Sequence, residues 1–480
     1  MGKLDGLKPA EVFHYFEEIS RIPRGSGNVE AISDYLKRFA ESRGLFCIQD
    51  EVKNIIIIKE ATPGYGEEEP VLLQGHMDMV AVKEPGCGKD LRKEGLELKV
   101  DGDWLYAEGT SLGADDGIAV ACALALLDSD SIPHPRLEAV FTVDEETGME
   151  GASHIDLSVC RGRRMLNLDY EEEGVLLTSC AGGARVHGRL AVSFEKIRGT
   201  KLEVAIDGLL GGHSGSEIDK GRANANALIG RLMRSLPAEA DARYLSLEGG
   251  SADNAIPSAC RAVLAVKEEA ADAVRKAAET LAQTLSREYA AADPGISVRI
   301  EAEERGEWEA FTRQSTDQVT AILALMPNGI QRMSADIPGL VQTSLNLGIL
   351  RTQDGCVSFD YSIRSSVGSE KDWLIHRVCL LLSLQGAQYT VSGSYPAWEY
   401  RRDSALRERM IRIYEKMFGS APRVEAIHAG LECGILASKL PGLDCVSIGP
   451  DMKDIHTPRE RLSISSTERM WNYILEILKK

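Results

Sequence analysis

Basic residues are in short supply in this sequence: 55 Lys and Arg stand against 73 Asp and Glu, for a formal net charge of −18. A polyphosphate or anionic lipid partner selects a basic surface, so nucleic acid and membrane-surface binding are not expected. Long apolar runs are also missing; none approaches the ~20 residues of a transmembrane helix. The first residues, Met1-Gly2-Lys3-Leu4-Asp5-Gly6, lack the apolar core of a signal peptide. They match a myristoylation start only loosely, because position 6 is Gly rather than Ser or Thr. The ten cysteines are scattered, with no C-x-x-C pair. That spacing excludes a thiolate zinc site and a disulfide framework, and suits free thiols in a reducing cytoplasm. No internal repeat or low-complexity tract occurs.

What remains is ordinary globular material, 44% hydrophobic and 27% charged. At 480 residues it is too long for one simple core, so two domains are expected. The periodicity predicts helices over 9–21 and 28–43, and buried strands over 52–58 and 71–76. A hairpin, 96–100 with 104–107, turns at Asp101-Gly102-Asp103 within an irregular excursion over 81–111. An apolar small-residue helix over 118–127 and strands over 137–143 and 165–168 follow. Strands alternating with helices give a mostly parallel, helix-covered sheet. From about Arg185 the pattern changes. Polar-alternating segments at 201–206 and 261–267 and an amphipathic helix over 270–289 suit an α+β domain of two strand–helix–strand units. Helix 404–418, strand 422–427, helix 431–439 and strand 444–448 restore the first pattern. A last helix, from about Ser466, opens with Ser-Thr-Glu capping chemistry. The expected fold is α/β. A discontinuous catalytic domain spans 1–184 plus 401–480, and an inserted α+β lid spans 185–400.

Acid and imidazole side chains gather at the ends of these elements. In Gln74-Gly75-His76-Met77-Asp78 the strand delivers His76 and Asp78 to the same side, since residues two apart on an extended chain point alike. Such a pair serves a metal, one side chain ligating and the other orienting it, or is a structural hydrogen bond. Asp115 and Asp116 open the small-residue helix, where either alone reads as capping. Glu145 and Glu146 end one strand, Asp169 ends another, and His456 follows the Gly449-Pro450 turn beyond the last strand. His76, Asp115, Glu146, Asp169 and His456 are five oxygen or nitrogen donors without sulfur, which fits Zn²⁺ or Mn²⁺ rather than iron–sulfur or copper chemistry. Five exceed what one open tetrahedral site needs; they suit two ions about 3.5–4 Å apart.

Five ordered motifs carry a resemblance: His76-Met77-Asp78-Met79-Val80, Gly113-Ala114-Asp115-Asp116-Gly117, Asp144-Glu145-Glu146-Thr147-Gly148, Asn167-Leu168-Asp169 and His456-Thr457-Pro458. The chain resembles the dinuclear zinc exopeptidase superfamily, and within it the aminoacyl-histidine dipeptidase (bacterial peptidase D, carnosinase-like) branch. Gly211-Gly212-His213-Ser214-Gly215, Asp253-Asn254-Ala255-Ile256-Pro257 and Gly430-Leu431-Glu432-Cys433-Gly434 extend the likeness over nearly the whole chain. The resemblance implies hydrolysis of unblocked dipeptides, Xaa-His among them, with two divalent metals per chain: Zn²⁺ first, Mn²⁺ or Co²⁺ as alternatives. Asp115 would bridge, His76 and Asp169 would complete one metal, and Glu146 and His456 the other. Asp78 would orient His76, and Glu145 would be the general base.

His213, from the lid or a partner subunit, would stabilise the tetrahedral intermediate; a surface-loop histidine is the plain alternative. Asn254 would hold substrate. Arg364 would pair with its carboxylate, or form an ordinary salt bridge. Glu432 would bind the free amine, or cap a helix; Cys433 reads as buried and inert. A homodimer through the lid is implied. Two positions depart from the branch: Asp116 where Asn is common, and Tyr170-Glu171-Glu172-Glu173 where Ser-Glu is usual. Other readings are a deacylase or tripeptidase of the same superfamily, or a non-catalytic metal-binding protein with the same fold.

Overall fold

A computed structural model describes residues 2–480, except the side chain of residue 302, and the chain divides into two compact units. The first comprises 1–179, 400–426 and 431–480; the second comprises 180–399 and 427–430. Each has its own apolar core. Among the described residues no helix is long and apolar enough to cross a membrane.

The first unit is built on an eight-stranded sheet, in the order Phe46–Gln49, Ile55–Lys59, Leu137–Thr142, Val71–His76, Arg164–Asn167, Asp444–Ser447, Val175–Cys180, Arg423–Ile427. Leu137–Thr142, Val71–His76, Arg164–Asn167 and Asp444–Ser447 run parallel. The strands Leu137–Thr142 and Val71–His76 are buried at every position, their mostly apolar residues suiting the centre of a sheet covered on both faces. Antiparallel neighbours flank this centre: Phe46–Gln49 pairs Ile55–Lys59, which pairs Leu137–Thr142, and Val175–Cys180 meets Asp444–Ser447. In register, Gln74 lies beside Val140 and Asn167, and Asn167 beside Ser447. The four parallel strands therefore end together, and open α/β sheets place ligands at that edge.

The helix Ala114–Asp128 is buried along nearly its whole length, because its alanines let it lie close to the sheet. Asp115 and Asp116 at its start are not helical (ψ 108° and 35°), and Gly113 before them is left-handed, φ 63°. A four-stranded antiparallel sheet, Met452–Lys453, Arg461–Ser463, Trp104–Ala107 and Leu98–Asp101, joins the expected hairpin to the segment containing His456. The last helix, Ile464–Leu478, starts slightly earlier than its sequence suggests, and its cap is Ser463, whose Oγ accepts from the Ser466 N–H at 3.2 Å. The expected Ser-Thr-Glu cap lies inside the first turn.

The second unit is an antiparallel nine-stranded sheet, in the order Ser297–Phe311, Phe194–Asp207, Cys260–Val266, Arg243–Gly249, Val341–Gln353, Cys356–Ser365, Gly182–Ala191, Gln388–Tyr395, with Gly329–Met333 added beside Val341–Gln353. Its core includes buried faces of the helices Ala225–Ser235, Ala271–Glu288, Arg313–Leu325 and Gly368–Leu384.

Candidate metal centre

His76 is the last residue of its strand and is almost fully buried. Its Nδ1 lies 3.3 Å from Asp78 Oδ1, and its Nε2 lies 3.0 Å from Asp115 Oδ1 and 3.8 Å from Asp169 Oδ1. One ring nitrogen thus meets the orienting carboxylate while the other faces the cluster. Asp78 is itself held: Ser26 Oγ donates to Oδ2 at 2.8 Å, and the Glu145 N–H donates to Oδ1 at 3.2 Å. Burial pushes the Asp78 carboxyl up, but its bonds to His76, Ser26 and Glu145 outweigh that and hold it below its ordinary value.

Asp115 points its two oxygens at two different imidazoles. Oδ1 meets His76 and Oδ2 meets His456 Nε2, each at 3.0 Å. The same His456 Nε2 lies 3.0 Å from Glu146 Oε1. His456 reaches this point from a loop between two short strands, with a left-handed backbone (φ 60°). Asp144, at the turn before Glu145, is left-handed as well (φ 53°). Such conformations cost ~1–3 kcal/mol in a residue other than glycine, and they gather where a site fixes a side chain's direction.

The electrostatics describe a cluster short of positive charge. Burial, with Glu432, Glu146 and Asp115 adding and His76 opposing, pushes Glu145 up to about 8. Burial, with Asp116 and Asp115 adding, pushes Asp169 well above the carboxylate range. His456, bonded to Asp115 and Glu146, is raised to about 10. His76 is raised well above its ordinary value: burial opposes, but the bonds from Asp115 and Asp78 prevail.

The donor set fits divalent cations on local grounds. Asp115, Glu146 and His456 offer ligand atoms within 4.8 Å of one another, and so do His76, Asp116 and Asp169. One Nε2–H cannot satisfy both Asp115 Oδ2 and Glu146 Oε1, and Glu146 Oε1 is left buried without a hydrogen bond. A cation amid these atoms satisfies all three at once. Asp116 is buried with Oδ2 accepting from the His76 N–H at 3.2 Å and Oδ1 unpartnered. Burial pushes its carboxyl well up.

Glu432 departs from one of the two expectations for it, the helix cap. It is fully buried, and Oε2 accepts from Gln74 Nε2 and Thr142 Oγ1, each at 2.6 Å. It does not cap its helix, Glu432–Lys439, and its Oε1 is buried without a hydrogen-bond partner. Instead it joins a polar network with Gln74, Thr142 and Asn167 across three parallel strands. Cys433 is buried with its thiol pushed well up, first by burial.

The second unit has a cluster of opposite character. His213 and Asn254 become neighbours because Gly212–His213 pairs with Ala255–Ile256; the Asn254 carbonyl accepts from Ser214 N at 2.8 Å. His213 Nδ1 accepts backbone N–H groups of Gly215 (3.3 Å) and Ser216 (3.1 Å), which leaves its proton on Nε2. Burial and Arg364 push this imidazole below its ordinary value, so it is a neutral donor at pH 7. Arg364, on Cys356–Ser365, donates to Tyr395 Oη at 3.3 Å and leaves Nε buried without a partner. His428, hydrogen-bonded to Ser344 Oγ at 2.7 Å, completes the group. Gly215 lets them approach: a Cβ there would lie 2.9 Å from His213, 3.1 Å from Arg364 Nε and 2.8 Å from the His428 carbonyl.

Sequence reasoning did not find Arg24, Ser26, Gln74, Thr142 or Glu460. Arg24 looks like any surface arginine after Pro23, and Glu460 like part of the charged run Arg459-Glu460-Arg461. The glycines at 113 and 117 carried the one available signal, since side chains there would meet the Arg24 guanidinium.

The sequence pattern of peptidase family M20/M25/M40 matches residues 72–480. Over 482 aligned residues the chain is 34% identical to the cytosol non-specific dipeptidase of Escherichia coli K12, covering 100% of this chain and 99% of that one. The crystal structure of aminoacylhistidine dipeptidase from Vibrio alginolyticus superposes with a TM-score of 0.93 at 34% identity, over 99% of this chain and 97% of that one. Aminopeptidase PepT from Bacillus cereus, at 14% identity and a TM-score of 0.55 over 98% of each chain, shares the fold. With motifs, architecture and full-length similarity in agreement, the chain belongs to peptidase family M20/M25/M40.

Proposed function

We propose that this protein is a metal-dependent dipeptidase, acting on short unblocked peptides, Xaa-His dipeptides among them. The observation that carries this is Asp115, whose two carboxylate oxygens face His76 and His456 at 3.0 Å each. In this reading Asp115 would be shared between two divalent ions, zinc first, with His76 and Asp169 completing one ligand set and Glu146 and His456 the other. When bound, such ions lower the pKa of water from 15.7 to about 7 and stabilise charge on the attacked carbonyl.

The chain's own residues do the rest. Asp78 fixes the His76 ring, and Ser26 fixes Asp78. Glu145, half-buried with its carboxyl pushed up to about 8, takes the proton of the attacking water and returns it to the departing amine. His213 offers a neutral Nε2–H to a developing oxyanion, and Arg364 offers its unpartnered Nε to a terminal carboxylate, with Asn254 as a further substrate contact. The first unit is then catalytic, and the second holds substrate.

A cytoplasmic location is supported by the name of the Escherichia coli relative, a cytosol dipeptidase. A homodimer through the second unit is supported by exposed Trp373, Leu380 and Leu384 along Gly368–Leu384, beside the edge strand Gln388–Tyr395. Glu432 Oε2 is already taken by Gln74 and Thr142, so whether a free α-amine is required separates the dipeptidase from a deacylase, the second reading. The deciding experiment is turnover of a panel of free and N-acetylated dipeptides by metal-loaded protein. Cleavage of free dipeptides alone supports the dipeptidase; preference for acetylated substrates supports the deacylase; no amide hydrolysis contradicts both.

A further inference from the structure

A buried arginine and a buried glutamate, neither of them a candidate ligand, grip the loop that carries Asp115. The Glu460 carboxylate accepts four successive backbone N–H groups: Leu112 at 2.8 Å and Gly113 at 2.9 Å on Oε2, Ala114 at 2.8 Å and Asp115 at 3.3 Å on Oε1. From the other side Arg24 takes the carbonyls. Its Nη1 donates to Met77 O at 3.1 Å and Asp78 O at 3.0 Å, and its Nη2 donates to Gly113 O. Arg24 is 2% exposed and Glu460 likewise 2%. The loop is shaped for this grip. Gly113 has φ 63°, and a Cβ there would lie 2.7 Å from Arg24 Nη2.

We infer that Arg24 and Glu460 are positioning residues for the metal centre, setting the separation of the three segments that carry His76, Asp115 and His456. Glu460 lies four positions after His456, so one carboxylate joins the His456 loop to the backbone of Asp115. Arg24 joins that loop to the backbone just after His76. Neither touches the reacting atoms. Their action is to hold an otherwise non-helical Asp115 with its two oxygens aimed apart, as two-sided use of that carboxylate requires. Ligand geometry of this kind must hold to within ~0.5 Å, and outer partners of ligands are worth about 10–100-fold in metal affinity. The inference rests on reading Asp115 as a shared ligand.

Glu138 provides the control. It is also buried, on the same sheet, and accepts the Arg161 and Gly162 N–H groups at 3.0 Å and Arg136 Nε at 2.9 Å. It sits at the start of Leu137–Thr142, at the opposite end from the strand's carboxyl edge.

The test compares Glu460→Gln and Glu138→Gln with the unaltered full-length protein. The readouts are zinc stoichiometry at saturation, zinc affinity by chelator competition, the visible spectrum of the cobalt-loaded form, and kcat and KM at saturating metal. Expected for Glu460→Gln is a loss of about 10–100-fold in metal affinity, an altered cobalt spectrum, and a lower kcat at unchanged KM. Glu138→Gln should lower thermal stability and leave affinity and spectrum unchanged. If Glu460→Gln does not fold, Arg24→Lys keeps the charge, loses the forked contacts, and is read the same way. Unaltered affinity and spectrum in the folded variant overturn the inference alone, as does an equal loss in Glu138→Gln. Failure of the unaltered protein to bind two metals overturns the reading of Asp115, and the inference with it.

Discussion

At the strand ends and helix start of the first unit, Asp115, Asp116, Glu145 and Asp169 crowd against His76 and His456; burial pushes all four carboxyls upward, and three of them end above their ordinary value. Around Gly215 in the second unit, His213, Arg364 and His428 meet, both imidazoles are pushed downward, and Arg364 forms no ion pair with any described residue. One cluster has more carboxyls than imidazoles to pair them, and the other has an arginine with no anion among the described residues. Buried charge is costly unless it is paired, so each imbalance points to a ligand of the opposite sign. The first suits divalent metal, and the second suits a carboxylate or oxyanion. Burial acts in both, with opposite consequences, because it opposes whichever form is charged.

The sharpest way to separate the two clusters is to remove chemistry from one without touching binding in the other. Glu145→Ala should lower kcat by about 10²–10⁴ while bound metal, measured by elemental analysis, stays the same. Loss of metal in this variant would make Glu145 a ligand instead. Next in size is Arg364→Ala. Losing a charged hydrogen bond of about 1.5–3 kcal/mol should raise KM about 10–100-fold for dipeptides with a free carboxylate. It should leave C-terminal amides nearly unaffected, which steady-state kinetics on the paired substrates reads directly.

Acid separates the clusters through stability. Burial, with Arg364 and His213, lowers His428 from 6.5 to about 3. The unfolded chain takes up a proton below pH ~6.5 that the folded unit refuses. Its contribution is therefore undiminished above that pH, and stability falls by up to about 1.4 kcal/mol per pH unit on going from ~6 toward ~3. Hydrogen exchange on Val341–Gln353, the strand bearing Ser344, should show this acid loss, and His428→Gln should flatten it. The smallest effect is expected for Asp116→Asn. Burial already disfavours the charged form of this carboxyl, and an amide of the same shape keeps the acceptor that Oδ2 offers the His76 N–H, so activity should change by an amount worth on the order of 1 kcal/mol or less.

The first cluster was legible in the sequence because its chemistry restricts residue type. Only acids and imidazoles serve, and parallel strands deliver them at predictable ends, so His76, Glu146, Asp169 and His456 stood out. The glycines of Gly211-Gly212-His213-Ser214-Gly215 marked the His213 loop, since close backbone approach excludes a side chain. The supporting groups were not legible. Arg24 and Glu460 act through backbone atoms of distant segments, and nothing in their neighbourhoods distinguishes them from solvated charge. Glu432 looked available because it begins a helix; its burial arises from strands brought over it by the fold. In the second unit the sheet's extent was underread: Phe194–Asp207 and Ser297–Phe311 are long strands with many exposed polar residues, and hydrophobic periodicity covers only part of such a strand.

Metal stoichiometry is the most direct test of the central claim that Asp115 joins two sets of ligands. Full-length protein dialysed against zinc should carry two ions per chain, and Asp115→Ala should lose high-affinity binding at both positions while still folding. One ion or fewer per chain in the unaltered protein, or two retained in Asp115→Ala, would contradict it.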